Sequence, residues 1–153
     1  MLLRSATLSD LKVVASWITS ARDCELWAGS RVKFPIDLES LPTGIDLGNA
    51  NAFSLFDVDL FVAFGQLVRK NPKRGHLGRI IVCPSLRGRG YGEALVRSLV
   101  DKARDEKCES VCLFVNASNV PAIALYSKVG FRNAVFPADR PELGGSLHME
   151  MET

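Results

Sequence analysis

The chain holds 153 residues, 47% hydrophobic and 24% charged, with a formal net charge of +2. That length and mixture describe one ordinary domain, 1–153, with a full core. So balanced a charge makes no case for nucleic acid or an anionic membrane as partner, and no apolar run approaches the roughly 18 residues of a spanning helix.

Cys24, Cys83, Cys108 and Cys112 lie in or beside apolar segments with no Cys-x-x-Cys pair, and His76 and His148 stand alone. The expectation is reduced thiols and no metal site. Met1 to Ser5 show no signal-peptide h-region, so the reading is a cytoplasmic protein.

Leu2–Ala6 reads as an opening strand. Thr7 or Ser9 can cap a helix over 9–20, with Asp10 favouring its dipole and Leu11, Val14, Ala15 and Ile18 on one face. A further helical segment covers Arg22 to Ala28 and stops at Gly29. From Ser30 to Ala50, Pro35, Pro42, Gly44 and Gly48 break any period, which predicts a loop with one short helix near Asp37–Leu41. Phe53–Val58 and Leu60–Arg69 read as antiparallel strands around a tight turn near Asp57–Asp59, and Asn71–Gly75 as the next turn. Four strands should therefore form a meander.

The chain is organised around residues 76–92. Ile80, Ile81 and Val82 make a buried strand that Pro84 ends, because proline has no N–H for the ladder. A loop follows in which Gly88, Gly90 and Gly92 alternate with Arg89 and Tyr91, directly after Arg87. Leu95, Val96, Leu99, Val100 and Ala103 then repeat at helical spacing over roughly 91–106. A strand, a glycine turn and a helix N-terminus together favour an anion, since the first helical N–H groups lack partners and glycine admits close approach. A P-loop needs Gly-Lys-Ser/Thr, which is absent, and the glycine spacing does not fit a dinucleotide fingerprint.

Val111 to Val115 are wholly apolar, as a parallel strand covered on both faces should be, so 76–83 and 110–116 become a parallel pair joined by a right-handed crossover. A helix over Val120–Val129, with Pro121 in its first turn and Gly130 after it, places Ala122, Tyr126 and Val129 on one face. Phe131–Val135 and Ser146–Met151 supply the last strands.

Two blocks carry a resemblance. Val82-x-Pro84-x-x-Arg87-Gly88-x-Gly90-x-Gly92 resembles the acetyl-coenzyme A loop of the GNAT superfamily of N-acetyltransferases. Asn119, Ala122, Leu125, Tyr126, Gly130 and Phe131 are similar to its Asn-x-x-Ala-x-x-Leu-Tyr-x-x-x-Gly-Phe pattern. The resemblance implies an α/β acyl-CoA N-acyltransferase fold. Its central, mostly antiparallel sheet would have six to seven strands and one splayed parallel pair, flanked by about four helices.

It further implies that acetyl-coenzyme A is the cosubstrate, with its pyrophosphate on the N–H groups of Arg87, Gly88, Arg89, Gly90, Tyr91 and Gly92. The pantetheine arm would run along Ile80, Ile81 and Val82, with Asn119 bonding it and Ala122 beside it. Arg89 or Lys128 would reach the 3′-phosphate. Tyr126 would protonate the leaving thiolate, and a homodimer through the late strands is compatible, although Leu147, Met149 and Met151 also alternate as any sheet does.

A primary amine would attack the thioester directly. An alkylamine of pKa about 10.4 stands some 3.4 units above neutral pH, a cost of roughly 4.6 kcal/mol, so a base is wanted. Relatives place a carboxylate on one of the parallel strands. This chain has none on 76–83, and Phe114 stands where ribosomal-protein acetyltransferases carry a glutamate. His76, Glu25 or a water remain for that role, while Trp27, Phe34 and Glu25 are candidates to line the acceptor site. A small-molecule amine is the expected acceptor. The alternatives are a peptide acceptor, which predicts an open groove, and a coenzyme A-binding sensor without turnover.

Overall fold

The computed structural model describes residues 1–138, 140 and 144–153. Seven strands form one sheet: β1 (Leu2–Ser5), β2 (Asn51–Asp57), β3 (Leu60–Asn71), β4 (Arg74–Val82), β5 (Ser110–Asn116), β6 (Arg132–Asn133) and β7 (Ser146–Glu152). Their order is β1-β2-β3-β4-β5-β7-β6. The first four pair antiparallel in chain order, giving the meander that their turn residues predict, and the β2–β3 turn sits at Val58 and Asp59. Among the described residues only β4 and β5 run parallel.

Among the described residues five α-helices flank the sheet: α1 (Leu8–Ser16), α2 (Ala21–Ala28), α3 (Leu41–Gly44), α4 (Tyr91–Asp105) and α5 (Val120–Val129). Thr7 caps α1 in a reciprocal box with Asp10, which also binds Arg4 at 2.7 Å and accepts from Ser54 Oγ, tying the helix to β1 and β2. The helix expected over 9–20 is shorter and stops at Ser16. The separate segment expected over 22–28 forms as α2, which Ser20 caps by accepting from the Asp23 N–H at 3.0 Å. The short helix foreseen near 37–41 forms at Leu41–Gly44 instead, where Pro42 fits its first turn. The first of the two late strands shrinks to Arg132–Asn133.

Two cores result, one on each face of the sheet. Leu67, Leu77, Leu95, Leu99, Val111 and Leu113 pack under α4 and α5. Leu11, Val14, Trp17, Trp27, Leu41, Ile45, Phe64 and Ile81 pack under α1, α2 and α3. Gly65 lets α4 lie close, since a Cβ there would stand 3.0 Å from a Leu99 methyl, and at Gly75 a Cβ would stand 2.8 Å from Leu67 on β3. Among the described residues no helix is long and apolar enough to cross a membrane.

A β-bulge in β4 matters most for the site. Phe64 faces Ile81 and Gln66 faces Gly78, so Arg79 and Ile80 together oppose Gly65. The extra residue changes the face on which later side chains fall. Leu77 packs beneath α4, yet so do Ile80 and Val82, while Ile81 turns to the α2 side. Arg79 takes a left-handed φ of 49° to make the turn.

Candidate active site

The parallel ladder ends after three pairs: Arg74 with Ser110, Gly75 with Val111, and His76 with Cys112. Beyond them the bulge carries β4 away from β5. The facing edges, Leu77–Val82 and Leu113–Asn116, are left to line a cavity of about 600 Å³. Backbone N–H and C=O groups on such edges want an extended partner.

At one end lies the N-terminus of α4. Gly88 (φ 76°) and Gly90 (φ 87°) both adopt left-handed conformations that favour glycine. Gly90 is the N-cap, and having no side chain it leaves the first N–H groups of α4 uncapped. Gly92 serves packing as well: a Cβ there would stand 3.2 Å from Leu125 on α5. Tyr91 is anchored through its hydroxyl, which donates to Asp57 Oδ2 at 2.7 Å.

Of the residues singled out from sequence, Ile80, Ile81, Val82, Arg87, Gly88, Gly90, Tyr91, Gly92, Asn119, Ala122, Tyr126 and Lys128 all line this cavity, and Arg89 does not. Asn119 precedes α5 and spends no side-chain bond on capping it. The exposed Lys128 holds Glu93 at 2.6 Å, and Arg97 binds the same carboxylate at 3.0 Å. Lys128, then Arg97, keep the Glu93 carboxyl below the usual range. Tyr126 is buried, its ring edge-on to Phe131 at 6.0 Å, and burial alone pushes its hydroxyl up to about 12.

The opposite wall comes from α1 and α2, through Trp17, Asp23, Leu26 and Trp27. Trp27 fixes the bulge, because its indole N–H donates to the Arg79 carbonyl at 2.9 Å. Phe34 and Glu25 do not line the cavity; Glu25 lies outside it, paired with Arg22 at 3.3 Å.

His76 is also absent from the lining. Its ring stacks at a tilt on Phe114, 5.3 Å away, and its pKa is lowered to about 3, first by burial and then by the charges of Lys70 and Arg140. An imidazole so reluctant to take a proton is a poor base. Asp23, Trp17 and Arg79 went unmarked by sequence reasoning. Ser20 followed three residues later by Asp23 is the capping signal that could have placed Asp23 in a first turn.

A family model described as the acetyltransferase (GNAT) family matches residues 20–131. Mycothiol acetyltransferase of Corynebacterium glutamicum (strain R) is 31% identical over 83 residues, which cover 54% of this chain and 28% of that protein. Glucosamine 6-phosphate N-acetyltransferase of Trypanosoma brucei brucei is 35% identical over 91 residues, covering 60% and 54% respectively. The chain thus matches between about a quarter and about half of these curated relatives. The crystal structure of ribosomal-protein-alanine N-acetyltransferase from Brucella melitensis superposes with a TM-score of 0.74 at 21% identity, covering 100% of both chains, a likeness of fold.

Proposed function

The chain belongs to the GNAT acetyltransferase family, and from that premise we propose that it is an acetyl-coenzyme A-dependent N-acetyltransferase of one domain, 1–153, acting on a small primary amine. One observation carries the reading: the parallel ladder breaks off after His76 and Cys112, and the bared strand edges meet uncapped helical N–H groups in the same cavity.

Those parts suit a long thioester carrier with a diphosphate. The N–H groups of Tyr91, Gly92 and Glu93, with the Arg87 guanidinium, favour phosphate oxygens. The edges of Ile80–Val82 and Val115–Asn116 offer an amide-bearing arm the bonds of a missing strand, and Asn119 adds a side-chain amide. The thioester supplies the activated acyl group. An N–H near Val82 polarises its carbonyl as negative charge builds on the oxygen.

The amine nitrogen attacks that carbon, the C–S bond breaks, and the proton of Tyr126 is available to the departing sulfur. Among the described residues the cavity offers two carboxylates, Asp23 and Glu93. Glu93 is engaged by Lys128 and Arg97 at the phosphate end, which leaves Asp23 to receive the ammonium and its proton.

The relatives' names span small-molecule and protein acceptors. The small amine is preferred because Trp17, Leu26 and Trp27 wall the acceptor end, where a peptide needs an open groove. Calorimetry with coenzyme A, followed by thiol release from acetyl-coenzyme A across an amine panel, tests the proposal. Binding that is weakened severalfold by Gly90→Ala, together with amine-dependent thiol release, is the expected result. A protein that ignores coenzyme A overturns it.

A further inference from the structure

We infer that the acceptor amine also carries an anionic group, a carboxylate or a phosphate, which Arg79 and Arg140 receive; this rests on the acetyltransferase reading above. Arg79 stands on the bulge and lines the cavity, half-buried. Its Nη1 donates to Gln66 Oε1 at 2.8 Å, and Gln66, fully buried, donates in turn to the Ile45 carbonyl at 3.0 Å. The guanidinium is thus held in place by a neutral amide, while its Nε is buried without a partner.

No carboxylate among the described residues forms an ion pair with Arg79. Asp46 is the acid whose charge it feels, but that carboxylate accepts from Asn49 Nδ2 at 2.9 Å. Arg31 adds a second positive charge on the same side.

Arg140 comes from the connection between β6 and β7. Its guanidinium lies 5.4 Å over the ring of Phe114, which lines the cavity from β5. It too has no carboxylate among the described residues. Arg79 thus borders the cavity as part of its lining, and Arg140 borders it through the Phe114 ring on which it lies, without lining it directly. The nearby acid Glu150 is already committed to Arg74 at 3.4 Å and to Ser110 Oγ at 2.9 Å.

A half-buried cation lacking a counter-charge is costly, and a guanidinium fork matches carboxylate or phosphate oxygens. With Asp23 on the α2 wall for the ammonium, the described residues give the acceptor end one negative and two positive stations. A zwitterionic or amino-phosphate acceptor complements that arrangement. A polyamine would be repelled by it.

The test uses matched acceptors: an amino acid against its amide, an amino-sugar phosphate against the free amino sugar, and spermidine as the polycation. The specificity constant kcat/KM is read from thiol release with the wild-type chain, Arg79→Gln and Arg140→Gln, at low and high ionic strength. Coenzyme A calorimetry serves as the check of folding. The wild type should favour the anionic member of one pair by roughly tenfold or more, and the preferred pair names the anion. The preference should fall to about twofold or less in either variant and shrink with salt. Arg140, being exposed, decides the matter should Arg79→Gln fail to fold. Turnover without a charge preference, or a preference that survives both substitutions, overturns this inference alone. Coenzyme A binding with no thiol release from any acceptor overturns the acetyltransferase reading along with it.

Discussion

Burial pushes the Tyr126 hydroxyl up to about 12, so the residue brings a proton into the cavity at neutral pH and does not shed it unprompted. Donation to an alkylthiolate of ordinary pKa near 8.5 would then run uphill by about 5 kcal/mol. The same desolvation destabilises a thiolate formed beside it, which narrows the gap. Tyr126→Phe keeps the ring against Phe131 and removes only the donor. Its kcat should fall at least about tenfold while the dissociation constant for coenzyme A moves less than about twofold. Stopped-flow thiol release and calorimetry measure the two numbers, and an undiminished kcat would take Tyr126 out of the chemistry. Tyr126, Asn119 and the glycines were legible because turns and helix ends demand particular residue types at fixed spacing. Asp23 and Arg79 were not, since nothing local says that a first-turn acid and a mid-strand cation face one cavity.

At the scale of elements, periodicity placed the meander, the crossover and α5 within a residue or two. The bulge escaped because it is a property of pairing: β3 must supply one residue where β4 supplies two. Gly78 and Arg79 interrupting an apolar run were its only local trace. Trp27 holds the result in place through one hydrogen bond to the Arg79 carbonyl. Trp27→Phe preserves most of the apolar area and orphans that carbonyl, at a cost of about 1–3 kcal/mol. Urea denaturation should register the loss, and KM for the acceptor should rise more than the coenzyme A dissociation constant. Equal stability and unaltered KM would mean that the bulge stands without its indole partner.

Across the whole molecule, β4, β5 and β7 meet around His76, Phe114 and His148. Phe114 lies 5.3 Å from the first ring and 5.1 Å from the second. Arg74 can only donate, so His148 Nε2 accepts from it at 3.1 Å and Nδ1–H donates to the Val135 carbonyl at 2.8 Å. This joins the sheet edge to the segment leading toward Arg140. Beside it His76 has a folded pKa of about 3, lowered by burial first and by the surrounding positive charge second. An unfolded histidine titrates near 6.5, so between those two values the unfolded chain binds the extra proton. His76 therefore contributes stability that is fully present above about pH 6.5 and drains away as pH falls toward 3, at up to about 1.4 kcal/mol per pH unit. His76→Gln removes the titration, and its unfolding free energy should decline less steeply between pH 6.5 and 4, by roughly 3 kcal/mol over that span. Urea titrations at several pH values would show it. Parallel slopes for both proteins would mean that the folded imidazole takes up a proton readily, and would restore His76 as a base for the acceptor amine.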